Sequence, residues 1–532
     1  MRKEPFGIRP AILRPSTLSS LRLRHAWQST LWLCRVGLVL CLTLGRLAAP
    51  AQAADAGALT PVLRSAYAAV AERHLNSPDF PRFTAAGLRG LLAVDRGIAL
   101  ERERERLVLR GSSGVLARLE PRAMGGAAEA SQAAVQAIAA VLAASSALRA
   151  QSNETLLRLF LDEALTDLDP YSRFVPRSEA RAARARRFGE AGLGLDLAPE
   201  GNAAVVLRVV DDSPAWAAGL RPGDRVLAID GRPTRGLDAD SLERLLRGEE
   251  NEPLSLTIAR RGGRPETVVL VRAMVAAETV FVVWHGTVPI LRISGFNRLT
   301  DRRLARAVVE VAHRDPTPPG LVLDLRGNRG GLLRQAIAAA DLFLTEGVIA
   351  EARGRHPEAS RTHRAAGPDL SAGLPLVVLV DGASASSAEV LAAALQDNGR
   401  AVLVGSVTTG KGLIQTVVPL PDESELHLTW SGLHAPTGYP IQGLGVLPDI
   451  CTSLGPEATE QALRLFATGR RPEAASAWRT VRDWTAASAE LARLRDACPP
   501  AVGGELDITA ALWLLRRSER DRARPLATHA VP

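Results

Sequence analysis

The chain has 532 residues, 46% of them hydrophobic, and a formal net charge of +8. This length exceeds that of a typical single domain and predicts several. Residues 1–53 hold eight basic residues and one acidic residue, so almost all of the net charge lies in that segment. The remainder is close to neutral and lacks the clustered basic charge of a nucleic-acid-binding surface, which argues against that class of function.

Residues 1–53 have the pattern of an export signal. A basic stretch precedes an apolar run over residues 36–44, and small residues follow at positions 49–53. We therefore expect residues 1–53 to be a signal peptide and the protein to be periplasmic or otherwise exported. The alternative is an uncleaved anchor at the inner membrane, with the protein facing the periplasm, although the run is shorter than the roughly 20 residues of a membrane span.

Two of the four cysteines, Cys451 and Cys498, lie outside this leader. Export would place them in an oxidising compartment, and the sequence is compatible with one disulfide or with two free thiols. No cysteine and histidine cluster has zinc-ligand spacing, and no HExxH motif occurs. We therefore expect neither a metal nor a cofactor.

Residues 54–185 are rich in Ala, Leu, Arg and Glu and are expected to form a helical region. Apolar residues recur at helical spacing over residues 156–165. The segment LDPYSRF, residues 168–174, ends this helix, because proline disfavours helical geometry at the residue before it. The mixed-charge run over residues 101–110 is expected to be the solvated face of a helix.

Residues 186–275 change to short strands and turns. A glycine loop, Leu193-Gly194-Leu195, enters a strand, and a short helix and a hairpin turn follow. Further strands are predicted over residues 204–210, 225–229, 254–260 and 267–271, and a helix over 241–247.

The stretch SPAWAAGLRPGDRVLAIDG, residues 213–231, resembles that of a PDZ domain of the circularly permuted kind found in bacterial proteases. The resemblance implies that backbone amides of Leu193, Gly194 and Leu195 receive the terminal carboxylate of a peptide. The peptide would then add as a strand at the edge of the sheet. The alternative is a PDZ fold used only for packing.

Residues 276–455 alternate short strands with helices, which predicts an α/β fold. Residues 456–532 carry helical patterns, which would dock on the core or support a homo-oligomer. The predicted strands of the α/β region are 289–293, 321–325, 374–380 and 401–405, and its predicted helices are 334–343 and 388–396.

A serine cluster and a lysine lie within this alternation. The cluster GASASSAE, residues 382–389, follows a predicted buried strand and precedes a helix. Free backbone N–H groups at a helix start can stabilise an oxyanion, and the glycine turn RGNRGGL, residues 326–332, would present another donor. Lys411 lies between two glycines, and Gln415 follows it. This pairing suggests a serine hydrolase without a catalytic histidine.

A lysine can serve as the base for a serine only when its amine is neutral. The pKa of a free lysine is about 10.4 and must fall towards roughly 7–8 for that role. Burial lowers it, and Lys411 lies among Val407, Leu413 and Ile414 with no acid close in sequence. Gln415 would hold the amine by a hydrogen bond without adding negative charge.

Motifs spread from residue 169 to residue 450 make the chain similar to the C-terminal processing peptidases, also called tail-specific proteases. Besides the PDZ stretch and the serine cluster they are LDPYSRF, ILRISGFN, LVLDLRGNRGG, ALQDNGRAVLVG, TGKGLIQTVVPLP and APTGYPIQGLGVLPDI. The resemblance implies a crotonase/ClpP-like α/β protease core with an inserted PDZ domain and helical N- and C-terminal regions.

The family separates its serine and lysine by twenty-five positions, which selects Ser386 over Ser384 and Ser387. The resemblance implies the following roles: Ser386 as nucleophile, Lys411 as base, Gln415 as its orienting partner, and the N–H groups of Ser387 and Gly331 as oxyanion donors. Ser387 stands where the family usually has alanine, and Gly327 replaces an asparagine. Neither change removes a catalytic group.

The predicted function is an exported serine endopeptidase that recognises protein C-terminal tails through its PDZ domain and cleaves through an acyl-enzyme. Its expected partners are proteins or peptides with accessible C-termini, while a homo-oligomer and proximity to the membrane stay open. One alternative is a catalytically inactive PDZ scaffold or adaptor, which the intact Ser386, Lys411 and Gln415 disfavour. A crotonase-like acyl-transfer enzyme is the other, and the export signal and PDZ domain disfavour it.

Overall fold

The computed structural model describes residues 55–260, 263–470, 474–483 and 488–523. The predicted signal peptide lies outside these residues. The N-terminal region contains the helices α1 (Ala56–Arg73), α2 (Phe80–Leu92), α3 (Ala127–Ala144), α4 (Ser146–Arg149) and α5 (Asn153–Thr166) and the strands β1 (Ala99–Glu103), β2 (Arg106–Gly111), β3 (Gly114–Leu119) and β4 (Arg173–Val175).

The helix predicted around residues 156–165 is confirmed as α5, but the helix predicted for the run 101–110 is wrong. That run forms β1 and β2, which pair antiparallel around a turn where Arg104 has a φ of 54°. The consecutive residues Val108 and Leu109 are both buried, and the charges pair across the hairpin, as between Arg110 and Glu101 at 2.8 Å. The region is therefore helical with a three-stranded sheet, β1-β2-β3.

Helix α3 is long and apolar enough to cross a membrane by length and composition. Its residues Ala130, Ala134 and Ile138 lie in the N-terminal hydrophobic core, together with Leu63 and Val70 of α1. A core helix that is apolar on several sides passes the same composition test.

The next region is built around a sheet of order β11-β10-β8-β7-β6, with β9 paired to β8. Its edge strand β6 follows the glycine loop, and β5 and β12 pair with each other where the chain enters and leaves. The elements are helices α6 (Arg177–Phe188), α7 (Pro214–Ala217) and α8 (Ala239–Leu246) and strands β5 (Glu190–Gly192), β6 (Leu195–Glu200), β7 (Ala203–Val209), β8 (Arg225–Ile229), β9 (Arg232–Pro233), β10 (Pro253–Ala259), β11 (Glu266–Val271) and β12 (Ala273–Val275).

The remaining elements form two sheets and the helices that cover them. The strands are β13 (Val280–His285), β14 (Val288–Ile293), β15 (Leu321–Asp324), β16 (Val348–Gly354), β17 (Arg361–Arg364), β18 (Leu376–Val380), β19 (Ala401–Gly405), β20 (Leu413–Pro419), β21 (Glu425–His434) and β22 (Ile450–Cys451). The helices are α9 (Thr300–Ala312), α10 (Leu333–Asp341), α11 (Ser387–Asp397), α12 (Pro456–Ala467), α13 (Ala474–Thr480), α14 (Ser488–Arg495) and α15 (Glu505–Ala523).

The main sheet has the order β13-β14-β15-β18-β19-β22 and is parallel apart from the β13–β14 pair. Alternate residues of β18 face opposite sides: Val378 and Val380 contact the layer of α9, α10 and α11, while Val377 and Leu379 contact the layer of α12 and α15. A parallel strand buried on both faces has the continuous apolar sequence seen here. The predicted α/β class is confirmed.

A second, antiparallel sheet of order β17-β16-β21-β20 lies beside the main one, and β4 pairs with β21. A disulfide between Cys451 and Cys498 joins β22 to the segment after α14, with Cα atoms 5.7 Å apart. The sequence left this pairing open, and the structure forms it. Helix α15 docks on the core through buried residues that include Ala511 and Leu515.

Candidate active site

The serine cluster lies in the loop between β18 and α11. Buried β18 ends at Val380, and α11 begins at Ser387, so Ser386 is the residue that caps the helix start. Ser386 has φ 59° and ψ −119°. Such a backbone conformation is rare for a residue other than glycine and is typical of functional sites, where the surrounding structure holds it in place.

The three hydroxyl groups of the cluster have different environments. Ser384 is fully buried, and its hydroxyl donates to the carbonyl of Leu325 at 2.8 Å. The Ser387 hydroxyl donates to the carbonyl of Gly331 at 3.0 Å. Ser386 is half-buried, and its hydroxyl donates to no other residue of the described chain, although its oxygen faces the N–H of Glu389 in a capping box. Ser386 is thus the member of the cluster whose oxygen is available to attack a substrate.

The glycine turn after β15 lies directly against this loop. A Cβ placed on Gly330, where φ is 94°, would lie 2.9 Å from the Cβ of Ser386 and 3.1 Å from the nitrogen of Ser387. A Cβ on Gly331 would lie 2.1 Å from the carbonyl oxygen of Phe296. Both positions therefore require glycine. Within the described residues, the N–H groups of Ser387 and Gly331 donate to no protein acceptor, as oxyanion donors must.

Lys411 lies in the loop before β20 and is half-buried. Burial lowers its pKa below the ordinary value, and the positive charge of Arg173 lowers it further, while Glu389 acts in the opposite direction. The Lys411 ε-amino group makes no hydrogen bond to a residue of the described chain, and it lies 5.7 Å from the centroid of the Tyr171 ring. A desolvated amine with no acceptor is suited to accept a proton.

Glu389 connects the loop that carries Ser386 (the serine loop) to the loop that carries Lys411 (the lysine loop), and it was not among the residues predicted from sequence. Its side chain is fully buried, and its Oε2 accepts from the N–H of Ser386 at 2.6 Å and from the N–H of Lys411 at 2.9 Å. Its Oε1 accepts from the N–H of Gly410 at 2.6 Å and from the Thr408 hydroxyl at 2.5 Å. A glutamate three residues after a serine helix cap is the capping-box pattern, which is the signal that could have found it.

Gln415 does not contact Lys411 in this structure. Its side-chain amide donates to the carbonyl of Leu413 at 3.0 Å, within its own strand. The pairing of β20 with β21 is irregular between Ile414 and Gln415. Such a bulge changes the direction in which the following side chain points.

A groove of about 700 Å³ lies beside β6 and α8 and is lined by Leu193, Gly194 and Leu195. The N–H groups of Leu193 and Gly194 donate to no acceptor within the described residues. Gly194 has a φ of 73°, and a Cβ there would lie 2.3 Å from the Cβ of Ser213, so this position requires glycine. An edge strand next to free amides can take an added strand that ends in a carboxylate.

The sequence of the chain matches the family model of peptidase family S41 over residues 287–452 and that of the PDZ domain over residues 205–260. It is 36% identical over 302 residues to a carboxy-terminal-processing protease of Bartonella bacilliformis, covering 56% of this chain and 70% of that protein. It is 35% identical over 317 residues to a carboxyl-terminal-processing protease of Synechocystis sp., covering 58% and 72%. The chain belongs to the carboxy-terminal-processing proteases of peptidase family S41.

The protein is therefore an S41 peptidase with a PDZ domain, a serine-type C-terminal processing peptidase. Among solved structures it is similar to a photosystem II D1 C-terminal processing protease, with 26% sequence identity and a TM-score of 0.34, over 69% of this chain and 92% of that one.

In this S41 peptidase the segment after α14 lies against the serine loop. The N–H of Gly382 donates to the carbonyl of Ala501 at 2.8 Å, and the Ser406 hydroxyl donates to the same carbonyl at 3.0 Å. Arg326 of the glycine turn donates to Asp507 of α15 at 3.0 Å. The C-terminal segment thus supports both loops that carry the candidate site residues.

Proposed function

We propose that this S41 peptidase is exported and cleaves proteins with Ser386 as nucleophile and Lys411 as general base, after recognising a C-terminal tail in its PDZ groove. One observation carries the proposal: a single oxygen of Glu389 accepts from the N–H of Ser386 and from the N–H of Lys411. Two residues anchored on one buried oxygen belong to one site, although they are distant in sequence.

In the first half of the reaction the Ser386 oxygen attacks the carbonyl carbon of the scissile bond, and its proton passes to the neutral amine of Lys411. The N–H groups of Ser387 and Gly331 stabilise the negative oxygen of the tetrahedral intermediate. The carbon–nitrogen bond then breaks, and Lys411 returns the proton to the leaving amine. An ester between the substrate carbonyl and Ser386 remains.

In the second half a water molecule attacks this ester and gives a proton to Lys411. Collapse of the second tetrahedral intermediate breaks the bond to Ser386, whose oxygen takes that proton back. The shortened protein leaves with a new C-terminal carboxylate, and both residues return to their starting protonation states. Lys411 therefore has to alternate between neutral and charged forms, which its lowered pKa favours at moderate pH.

Export is supported by the leader and by the disulfide between Cys451 and Cys498, since such bonds persist in oxidising compartments. Gln415 is proposed as an orienting partner of Lys411 that would turn from Leu413 to the amine when the charged form appears. The domain boundaries proposed are a leader over residues 1–53, the helical region with its small sheet over 54–185, the PDZ domain over 186–275, the peptidase core over 276–455 and the C-terminal region over 456–532.

A fluorophosphonate probe, which phosphonylates activated serine hydroxyls, tests the nucleophile. We expect the wild-type protein to be labelled and Ser386→Ala to lose all labelling. The matched control Ser387→Ala keeps the backbone donor and loses only its bond to Gly331, so we expect a reduction of less than about tenfold. Unchanged labelling in Ser386→Ala would contradict the proposal, and a protein that never labels would be the inactive scaffold.

The role of the groove is tested with two peptides of one sequence, one with a free C-terminal carboxylate and one with an amide. Hydrogen bonds to a charged group contribute about 1.5–3 kcal/mol, so we expect the free peptide to be cleaved with a kcat/KM at least about tenfold higher. Gly194→Ala should remove this difference, because its Cβ collides with Ser213. Equal rates for both peptides with the wild-type protein would count against tail recognition.

A further inference from the structure

The segment LDPYSRF is fixed against several elements of the fold around the carboxylate of Asp169. This carboxylate accepts from the N–H of Tyr171 at 2.8 Å, from the Thr429 hydroxyl of β21 at 2.7 Å and bonds the Nε2 of His74 at 2.9 Å. Burial raises the pKa of Asp169, but bonds from His74, Ser172 and Thr429 outweigh it and hold that pKa well below its usual range. The backbone of Tyr171 is thus bonded to a carboxylate that several other residues hold in place.

Tyr171 reaches from this anchor to the lysine loop. Its hydroxyl accepts from the amide Nε2 of Gln442 at 3.1 Å, and the Oε1 of the same amide accepts from the N–H of Gly412 at 2.9 Å. Its ring centroid lies 5.7 Å from the Nζ of Lys411. Tyr171 is therefore held by its backbone N–H and by its hydroxyl, and its ring lies over the amine of Lys411.

We propose that Tyr171 is a positioning residue for the base: its ring forms the wall that keeps water from the Lys411 amine and directs that amine, and Gln442 holds the ring in register with the lysine loop. This inference rests on the proposed role of Lys411. It assigns a task in the active site to the LDPYSRF segment, which also ends α5 and begins β4.

Two effects of the ring oppose each other. The face of an aromatic ring attracts an ammonium group and would favour the charged amine, whereas exclusion of water disfavours the charge. Burial is the largest cause of the lowered pKa of Lys411, and the proposal assigns part of that burial to the Tyr171 ring. The other charged groups that act on the amine are Arg173 of β4, which lowers its pKa, and Glu389 of α11, which raises it.

The test measures the rate of fluorophosphonate labelling of the full chain as a function of pH. The rate should rise with pH as Lys411 loses its proton, and Tyr171→Ala should move this rise to higher pH and lower the rate at neutral pH about tenfold. Tyr171→Phe is the matched control: it keeps the ring and loses only the bond to Gln442, so the labelling rate should rise at a pH closer to that of the wild-type protein than in Tyr171→Ala. Tyr171→Gln retains more side chain than alanine and offers the ammonium an acceptor, and it should move the rise in labelling rate to higher pH as well.

Thermal unfolding of each variant shows which ones are folded, and Tyr171→Gln carries the test if Tyr171→Ala is not. A folded Tyr171→Ala or Tyr171→Gln whose rate falls equally at every pH, or whose rise moves to lower pH, would overturn the inference. The proposed function fails separately, if Lys411→Ala is still labelled at the wild-type rate. When Lys411→Ala is inactive but the Tyr171 variants keep the wild-type pH profile, only the inference on Tyr171 is lost.

Discussion

Lys411→Ala is expected to lower kcat/KM by about 10²–10⁴-fold, the range that a general base contributes, while the protein stays folded. The neutral amine is the active form, so the activity of the wild-type protein should rise as the pH passes upwards through the pKa of Lys411. That pKa is lowered by burial first and by Arg173 second, so the rise should lie below the pH at which an ordinary lysine loses its proton. A pH profile of kcat/KM measures both the loss and the position of the rise.

Lys411→Arg is the matched control for this prediction. Arginine keeps the positive charge on a slightly longer side chain, but it stays protonated at any pH that the protein tolerates. If Lys411 acts as a base, Lys411→Arg should be as inactive as Lys411→Ala. An arginine variant with more than a tenth of the wild-type activity would mean that the site needs only a positive charge, and the proposed proton transfer would be wrong.

Strands β14, β15, β18 and β19 of the main sheet were predictable from sequence because each is a short apolar run between turn residues, whereas β13 and β22 were not predicted. Strand β19 was predicted with the observed ends, and β14, β15 and β18 were displaced by two residues or fewer. The second sheet was not predicted, since β16 pairs with β21, some eighty residues later, and no local pattern specifies such a partner. The hairpin β1–β2 was missed because its many charged residues suggested a solvated helix.

For the candidate site, sequence supplied the residue types and family spacing supplied the choice of Ser386. The sequence could not supply the physical reason for choosing Ser386. The hydroxyl of Ser384 donates to the carbonyl of Leu325, a residue that follows β15 and is distant in sequence. The expectation that no acid lies near Lys411 holds along the sequence only, since the fold brings Glu389 to its backbone. The contact that the family resemblance implied for Gln415 is not formed in this structure, where Gln415 lies in a strand with a bulge and bonds Leu413.

Glu389→Gln is expected to lower kcat by about 10²-fold through misplacement of Ser386 and Lys411, the usual effect of an error of about 1 Å in a catalytic group. Burial raises the pKa of Glu389, but its four partners all donate hydrogen bonds to its two oxygens, a set that suits an ionised carboxylate. A glutamine side chain has one accepting oxygen and one donating NH₂ group. The NH₂ group would therefore face two of these donors, which would lose their acceptor. Each buried donor left without an acceptor costs about 1–3 kcal/mol, and the melting temperature should fall too.

The pH profile of Glu389→Gln separates a role at the site from a loss of stability alone. Glu389 raises the pKa of Lys411, so removing its charge should move the rise in activity to lower pH, even though the maximum rate is smaller. The matched control is Glu425→Gln, which removes another buried carboxylate, one that bonds Arg187 and His427. This control should lose stability and keep the wild-type pH profile. A rise that moves to higher pH in Glu389→Gln, or a rate close to that of the wild type, would show that Glu389 does not link the nucleophile to the base.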